Sequence, residues 1–191
     1  MDLVKSIGVF IYPLLGCSLI AVFIVTERLL SLGASKVVKQ DVINALIQGD
    51  SDKIQGETGS AMGRIISFYR ERNPSPEALS AFASMEAAQL ERGLFLLEAI
   101  IGAAPLIGLL GTVTGLTQVF GNFFAESGLT NPDAFTSGIA MALNTTIIGL
   151  AIAIPSLVAH AYLLRRVEWL TTRIGMGVEC LSKSVPGHSI S

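Results

Sequence analysis

Three apolar runs free of Asp, Glu, Lys and Arg divide this chain: one between Lys5 and Glu27, one between Glu98 and Glu126, and one between Asp133 and Arg165. A bilayer core about 30 Å thick takes about 20 apolar helical residues to cross, so each run is long enough to cross once. Between the first two runs the pattern changes. KVVKQDVINALIQ (36–48) has the spacing of a short amphipathic helix, GDSDKIQGETGS (49–60) carries the Gly, Ser and Asp of a loop, and SAMGRIISFYRER (60–72) predicts a second short helix. At Asn73-Pro74-Ser75-Pro76 a new helix is expected to start, because Ser75 can cap it, Pro76 suits the first helical position and Glu77 favours the positive end of the dipole. No strong turn cluster interrupts the pattern from Glu77 to about Ala125, which predicts a single helix over twice as long as the membrane core is thick. Another long helix is expected to start near Asn131-Pro132-Asp133 and to run through RRVEWLTTRIG toward Cys180, with VPGHSIS as a frayed tail.

The expected fold class is therefore an all-α membrane protein with three transmembrane helices, two of them very long and extended into a cytoplasmic helical body. The organisation that follows is a first transmembrane helix (1–30), a cytoplasmic helical region (31–98), transmembrane helix 2 (99–125), a periplasmic loop (126–133), transmembrane helix 3 (134–164) and a cytoplasmic C-terminal helix and tail (165–191). Orientation follows from the basic residues, which are retained on the cytoplasmic side. Arg28, Lys36, Lys39, Lys53, Arg64, Arg70, Arg72 and Arg92 precede helix 2, Arg165, Arg166, Arg173 and Lys183 follow helix 3, and the loop between Glu126 and Asp133 has none. A periplasmic N-terminus and a cytoplasmic C-terminus result. A cleavable signal peptide is disfavoured, since the first run ends in Glu27-Arg28 without a small-residue cleavage site. On the cytoplasmic extension of helix 2, Glu86, Gln89, Glu91 and Arg92 are expected on wet faces.

Composition narrows the function. With 51% apolar and 15% charged residues the chain has a membrane composition, with no basic block or aromatic platform for nucleic acid. No G-x-x-x-x-G-K-[ST] occurs, so no nucleotide is expected, and no His-Glu-x-x-His or nucleophile–base constellation occurs, so neither an enzyme, a metal site nor a cofactor is expected. Cys17 in the first span and Cys180 in the inner tail face different environments and are not expected to pair.

Candidate chemistry lies in the second and third spans. At helical spacing Ala104, Gly108, Gly111, Thr112 and Gly115 share one face while Leu106, Leu109, Leu110, Val113 and Leu116 cover the others; in the third span Ala142, Thr146, Gly149 and Ala153 share a face. Two readings stand side by side. Small residues such as Gly111-x-x-x-Gly115 let helices approach closely in lipid, hydroxyls bond locally to backbone carbonyls, and Pro105 and Pro155 are tolerated within spans. Alternatively these faces line an interior, where Thr112, Thr145 and Thr146 can pass a proton or cation because a hydroxyl both donates and accepts. Hydroxyls do not titrate near neutrality, and residues 99–125 and 134–159 contain no Asp, Glu or His, so any proton-carrying carboxylate must come from another chain. His160, one turn from Arg165, is expected at the inner boundary.

APLIGLLGTVTGL followed by SGIAMALNTTIIGLAIAIP resembles the paired signatures of the MotA/TolQ/ExbB proton-channel family, and Tyr12-Pro13-Leu14-Leu15, Ser18 and Glu27-Arg28-Leu29 of the first helix are similar to it too. The likeness covers about residues 8–170, and three spans resemble ExbB and TolQ more than the four-span MotA. The resemblance implies a bacterial inner-membrane ring, typically five copies, around two copies of a single-span ExbD- or TolR-type partner whose transmembrane Asp takes up and releases the ion. It places Thr112 and Thr146, with Thr145 beside it, on the ion pathway. Pro105, Gly108, Gly111, Gly115, Gly149 and Pro155 are helix-packing positions near that pathway, and Asn144 is a hydrogen-bonding brace. Some ExbB and TolQ proteins have a Glu five residues before the second Thr; Met141 stands there, so an acidic role does not carry over.

The expected function is an ion-channel-forming subunit that couples the proton motive force to transport or mechanical work at the cell envelope. The alternative is a passive membrane scaffold whose glycines and threonines only pack helices.

Overall fold

A computed structural model of the chain describes residues 8–33, 59–125 and 132–183. The expected amphipathic helix at 36–48, most of the loop after it, residues 126–131 of the expected loop at 126–133 and the expected frayed tail lie outside the described residues. The described residues form helices and turns with no strand. A 3₁₀ turn at Gly8–Phe10 leads into α1 (Ile11–Ser31); α2 is Ala61–Arg72, α3 Pro76–Leu90, α4 Leu94–Ala125 and α5 Pro132–Lys183. Among the described residues three helical stretches are long and apolar enough to cross a membrane: Ile11–Ser31, Pro76–Gly121 and Gly138–Ser182, of 21, 46 and 45 residues. This is the expected all-α fold with three spans, two of them very long.

Contacts divide the chain into two units, Met1–Thr26 with Gly93–Ala161 and Glu27–Arg92 with Tyr162–Ser191. Every described Lys and Arg lies in the second unit. The first unit wears its apolar side chains outside. Tyr12, Leu19 and Phe23 on α1, Leu106, Leu110 and Val113 on α4, and Ile147, Ile154 and Val158 on α5 are exposed, while the inner positions go to smaller groups such as Ala21, Ala104, Ala142 and Ala153. Large exposed apolar surface of this kind is unfavourable in water but matches lipid, where helix association rests on close packing of small residues.

The second unit has a buried apolar core. Leu163, Val167, Leu170 and Ile174 of α5 recur at three- and four-residue spacing, with Leu181 seven residues further on, and all are 0–6% exposed, forming an apolar stripe on one helix face. Met62, Ile65 and Ile66 of α2 and Leu79, Ala83 and Leu90 of α3 add to this core. The helix starts obey local chemistry: Ser60 Oγ accepts from the Gly63 amide at 3.0 Å, and Ser75 Oγ accepts from the Ala78 amide at 3.3 Å with Pro76 next to the cap and Glu77 in the first turn, as the sequence predicts. Asn73 ends α2 in the left-handed region (φ 39°, ψ 57°), where its amide reaches the Tyr69 carbonyl at 3.0 Å.

Two expectations need correction. The stretch Pro76–Gly121 has the expected length but is not one unbroken helix: residues 91–93 form a turn, and Gly93 takes φ 83°, which a side chain makes costly. Glu86 does not lie on a wet face. It is 5% exposed and receives Arg64 of α2 twice over, Nη2 to Oε2 at 2.6 Å and Nε to Oε2 at 3.0 Å, while Phe68 stacks on Phe82 at 4.3 Å alongside. Gln89, Glu91 and Arg92 are exposed as expected.

Candidate functional site

The site is the seam between α4 and α5 in the first unit. Ala104, Gly108, Gly111 and Thr112 are buried on α4, with Gly115 half-buried, while Leu106, Leu109, Leu110 and Val113 point away. Glycine is required there by contact, not by conformation. A Cβ on Gly108 would lie 2.9 Å from the Thr145 carbonyl oxygen and 3.0 Å from Thr146 Cα, and one on Gly115 would lie 2.9 Å from Ala142 Cβ. A Cβ on Gly111 would run into the Thr145 methyl, and from the other side a Cβ on Gly149 would lie 2.6 Å from the Ala104 carbonyl oxygen. The two backbones touch, which small residues alone permit.

On α5 the buried stripe runs through Ala142, Thr145, Gly149, Ala153 and Ser156. Thr145, 2% exposed, sits at its centre against Gly111, and Thr146 is half-buried at its edge. Counting four residues on from Ala142 had set Thr146 in that position; the helix turns about 100° per residue, so offsets of three and four both fall on the seam, and the facing Gly111 selects the former. Asn144 is half-buried on the same helix.

The hydroxyls differ in what they are bound to. On α4, Thr112 Oγ1 donates to the Leu109 carbonyl at 2.7 Å, Thr114 to the Leu110 carbonyl at 2.9 Å and Thr117 to the Val113 carbonyl at 2.8 Å, each closing a bond within its own helix. Thr146 Oγ1 is buried and has no hydrogen-bond partner among the described residues. An unmade bond at a buried hydroxyl costs about 1–3 kcal/mol. Pro105 and Pro155 lie inside α4 and α5 and leave the carbonyls of Ile101 and Ala151 without a helical donor. Next to the second proline Ser156, 5% exposed, donates to the Ile152 carbonyl at 2.7 Å. Ser156 was not singled out from the sequence, although a Ser directly after a proline within a span is the available signal.

The described parts of the charge-free runs offer no titratable carboxylate, and no group of His, Cys, Asp and Glu among the described residues is arranged to hold a metal. Three apolar spans and a tightly packed, hydroxyl-bearing helix pair define a multi-pass membrane protein. The chain belongs to the MotA/TolQ/ExbB proton channel family, whose model matches residues 60–176. It is 37% identical over 171 residues to a putative biopolymer transport protein ExbB-like 1 of Synechocystis sp., covering 82% of this chain and 67% of that one. It is 30% identical over 178 residues to biopolymer transport protein exbB1 of Vibrio cholerae, covering 85% and 78%, and 30% identical over 163 residues to a putative ExbB-like 3 protein of Synechocystis sp., covering 78% of each.

Proposed function

We propose that this protein is the wall-forming subunit of an ion-driven motor of the bacterial inner membrane, with its N-terminus periplasmic and its C-terminus cytoplasmic. Copies of the chain, five in this reading, form a ring around a single-span partner of ExbD or TolR type. The partner contributes a transmembrane Asp, and this chain contributes hydroxyls. Protonation of that Asp lets it enter the apolar ring, and release of the proton on the inner side drives the next step, so that the proton motive force is converted to transport or mechanical work at the envelope. The chain is not an enzyme in this reading and needs no cofactor.

The observation that carries the proposal is the unpaired buried hydroxyl of Thr146 in a span without carboxylates. The charge that moves must belong to another component, and within this span Thr146 has hydrogen-bonding capacity to spare. Liposomes loaded with a pH-sensitive dye test the division of labour. The chain alone should pass essentially no protons, and co-reconstitution with the single-span partner should open a flux that removal of the partner's Asp abolishes. Brisk flux through the chain alone would overturn the reading.

A second reading, a passive scaffold, is favoured by one observation: Thr145 packs against Gly111 as a spacer between helices. The same assay separates the two, since a scaffold passes no protons with or without the partner.

A further inference from the structure

At the end of the third charge-free run, four side chains of α5 line an open cleft of about 410 Å³: Tyr162, Arg165, Arg166 and Trp169. Their spacing of three, four and seven residues from Tyr162 puts two cations between two aromatic rings on one helix face. Arg166 is held in place. Its Nε donates to the Leu32 carbonyl at 2.6 Å, at the end of α1, and its Nη1 donates to the Tyr162 hydroxyl at 3.0 Å, which leaves Nη2 free to donate. Trp169 is held as well, with the Arg173 guanidinium 4.2 Å from its ring centroid. Arg165 is exposed and has no hydrogen-bond or ion-pair partner among the described residues. A pre-oriented guanidinium, a free one beside it and flanking aromatic rings at the end of a charge-free run form a cationic concavity.

We propose that this face of α5 binds the phosphate of an anionic phospholipid headgroup in the leaflet where the third span ends. Charge complementarity sets the class of ligand, because guanidinium groups match phosphate oxygens in pairs. Position sets its source: Arg165 is the first charged residue after Asp133, and Tyr and Trp settle at the membrane–water interface. Glu168 projects from the same turn but does not line the cleft.

The test places the full-length chain in phosphatidylcholine bilayers and compares the motionally restricted fraction of spin-labelled phosphatidylglycerol with that of spin-labelled phosphatidylcholine. A basic side chain near an anionic surface is worth roughly a five-fold preference, so the wild type should favour phosphatidylglycerol by about five-fold or more. Arg165→Gln should bring the preference below about two-fold, and Arg72→Gln, an exposed cation elsewhere, should leave it unchanged. No preference in the wild type, or full preference in a correctly assembled Arg165→Gln protein, overturns the proposal. A further arm needs no variant: inorganic phosphate at about 50 mM should leave the lipid preference of the wild type standing, and displacement of the lipid would show a site for free phosphate instead.

Discussion

Gly149 of α5 comes so close to Ala104 of α4 that a Cβ placed on it would stand 2.6 Å from the Ala104 carbonyl oxygen and 3.2 Å from the carbonyl carbon. The obstacle is backbone, which cannot rotate away, so an added methyl must part the helices. Gly149→Ala should lower stability by about 1–3 kcal/mol, the usual cost of overpacking. Gly102→Ala serves as the control: nothing lies within 4 Å of a Cβ there, and Ala is the better helix former, so stability should hold or rise by up to about 1 kcal/mol. Denaturant titration of the detergent-solubilised protein measures both.

Thr146 and Thr112 are expected to respond differently to loss of the hydroxyl. Thr112 uses its own to close a bond to Leu109. Thr146 makes no such bond, so Thr146→Val should fold and assemble as the wild type does. If its hydroxyl meets a charged group of the partner, a bond worth about 1.5–3 kcal/mol is lost and partner-dependent proton flux should fall roughly ten-fold or more. Thr146→Ser should restore it. Flux equal to wild type in an assembled Thr146→Val complex would remove Thr146 from the pathway.

Arg64 and Glu86 make a testable electrostatic joint between α2 and α3. The Arg64 guanidinium is raised above its ordinary pKa, chiefly by the hydrogen bond to Glu86, against the opposing effect of burial. A raised basic group contributes stability that is complete below its unfolded pKa and is lost as pH climbs through its folded one. For an arginine that window lies in strongly alkaline solution, so Arg64 titration should introduce no pH dependence between about pH 6 and about pH 9. Arg64→Gln leaves a buried carboxylate unpaired, and the expected loss is about 2 kcal/mol, less than for a fully buried pair because Arg64 is partly exposed. Thermal unfolding of the two proteins across that range should give parallel curves, and convergence toward pH 9 would contradict the assignment.

Gly93 tests the break in the second long helical stretch. With φ at 83°, replacement by Ala forces a side chain into a region costing about 1–2 kcal/mol. Gly93→Ala should be destabilised by that amount, whereas Ala in an unbroken helix would have stabilised. The sign of the change decides between a turn and a continuous helix.

The spans were legible because absence of charge over a membrane thickness is a strong and local signal, and the start of α3 was legible because Ser75, Pro76 and Glu77 act within one turn. The α4 face was also readable, since glycines at three- and four-residue spacing have few other uses in a span. The turn at residues 91–93 was not, because a lone glycine within an apolar pattern is ordinary and its sign of φ is unwritten. Nor was the burial of Glu86, whose partner Arg64 lies 22 positions away on another helix. The choice between Thr145 and Thr146 at the seam depends on where the facing glycine sits, a relation between two helices that neither sequence motif contains.

One dimension of α5 has a mechanical consequence. At 52 residues it is roughly 78 Å long, against about 30 Å of hydrocarbon to cross, so more than half its length stands clear of the lipid core. A tilt of about 10° at the seam with α4 would swing an end about 40 Å distant through roughly 7 Å, larger than one helical turn. A change of a few degrees where α5 meets α4 is thereby magnified, along the one helix, into a displacement of several ångströms at its far end.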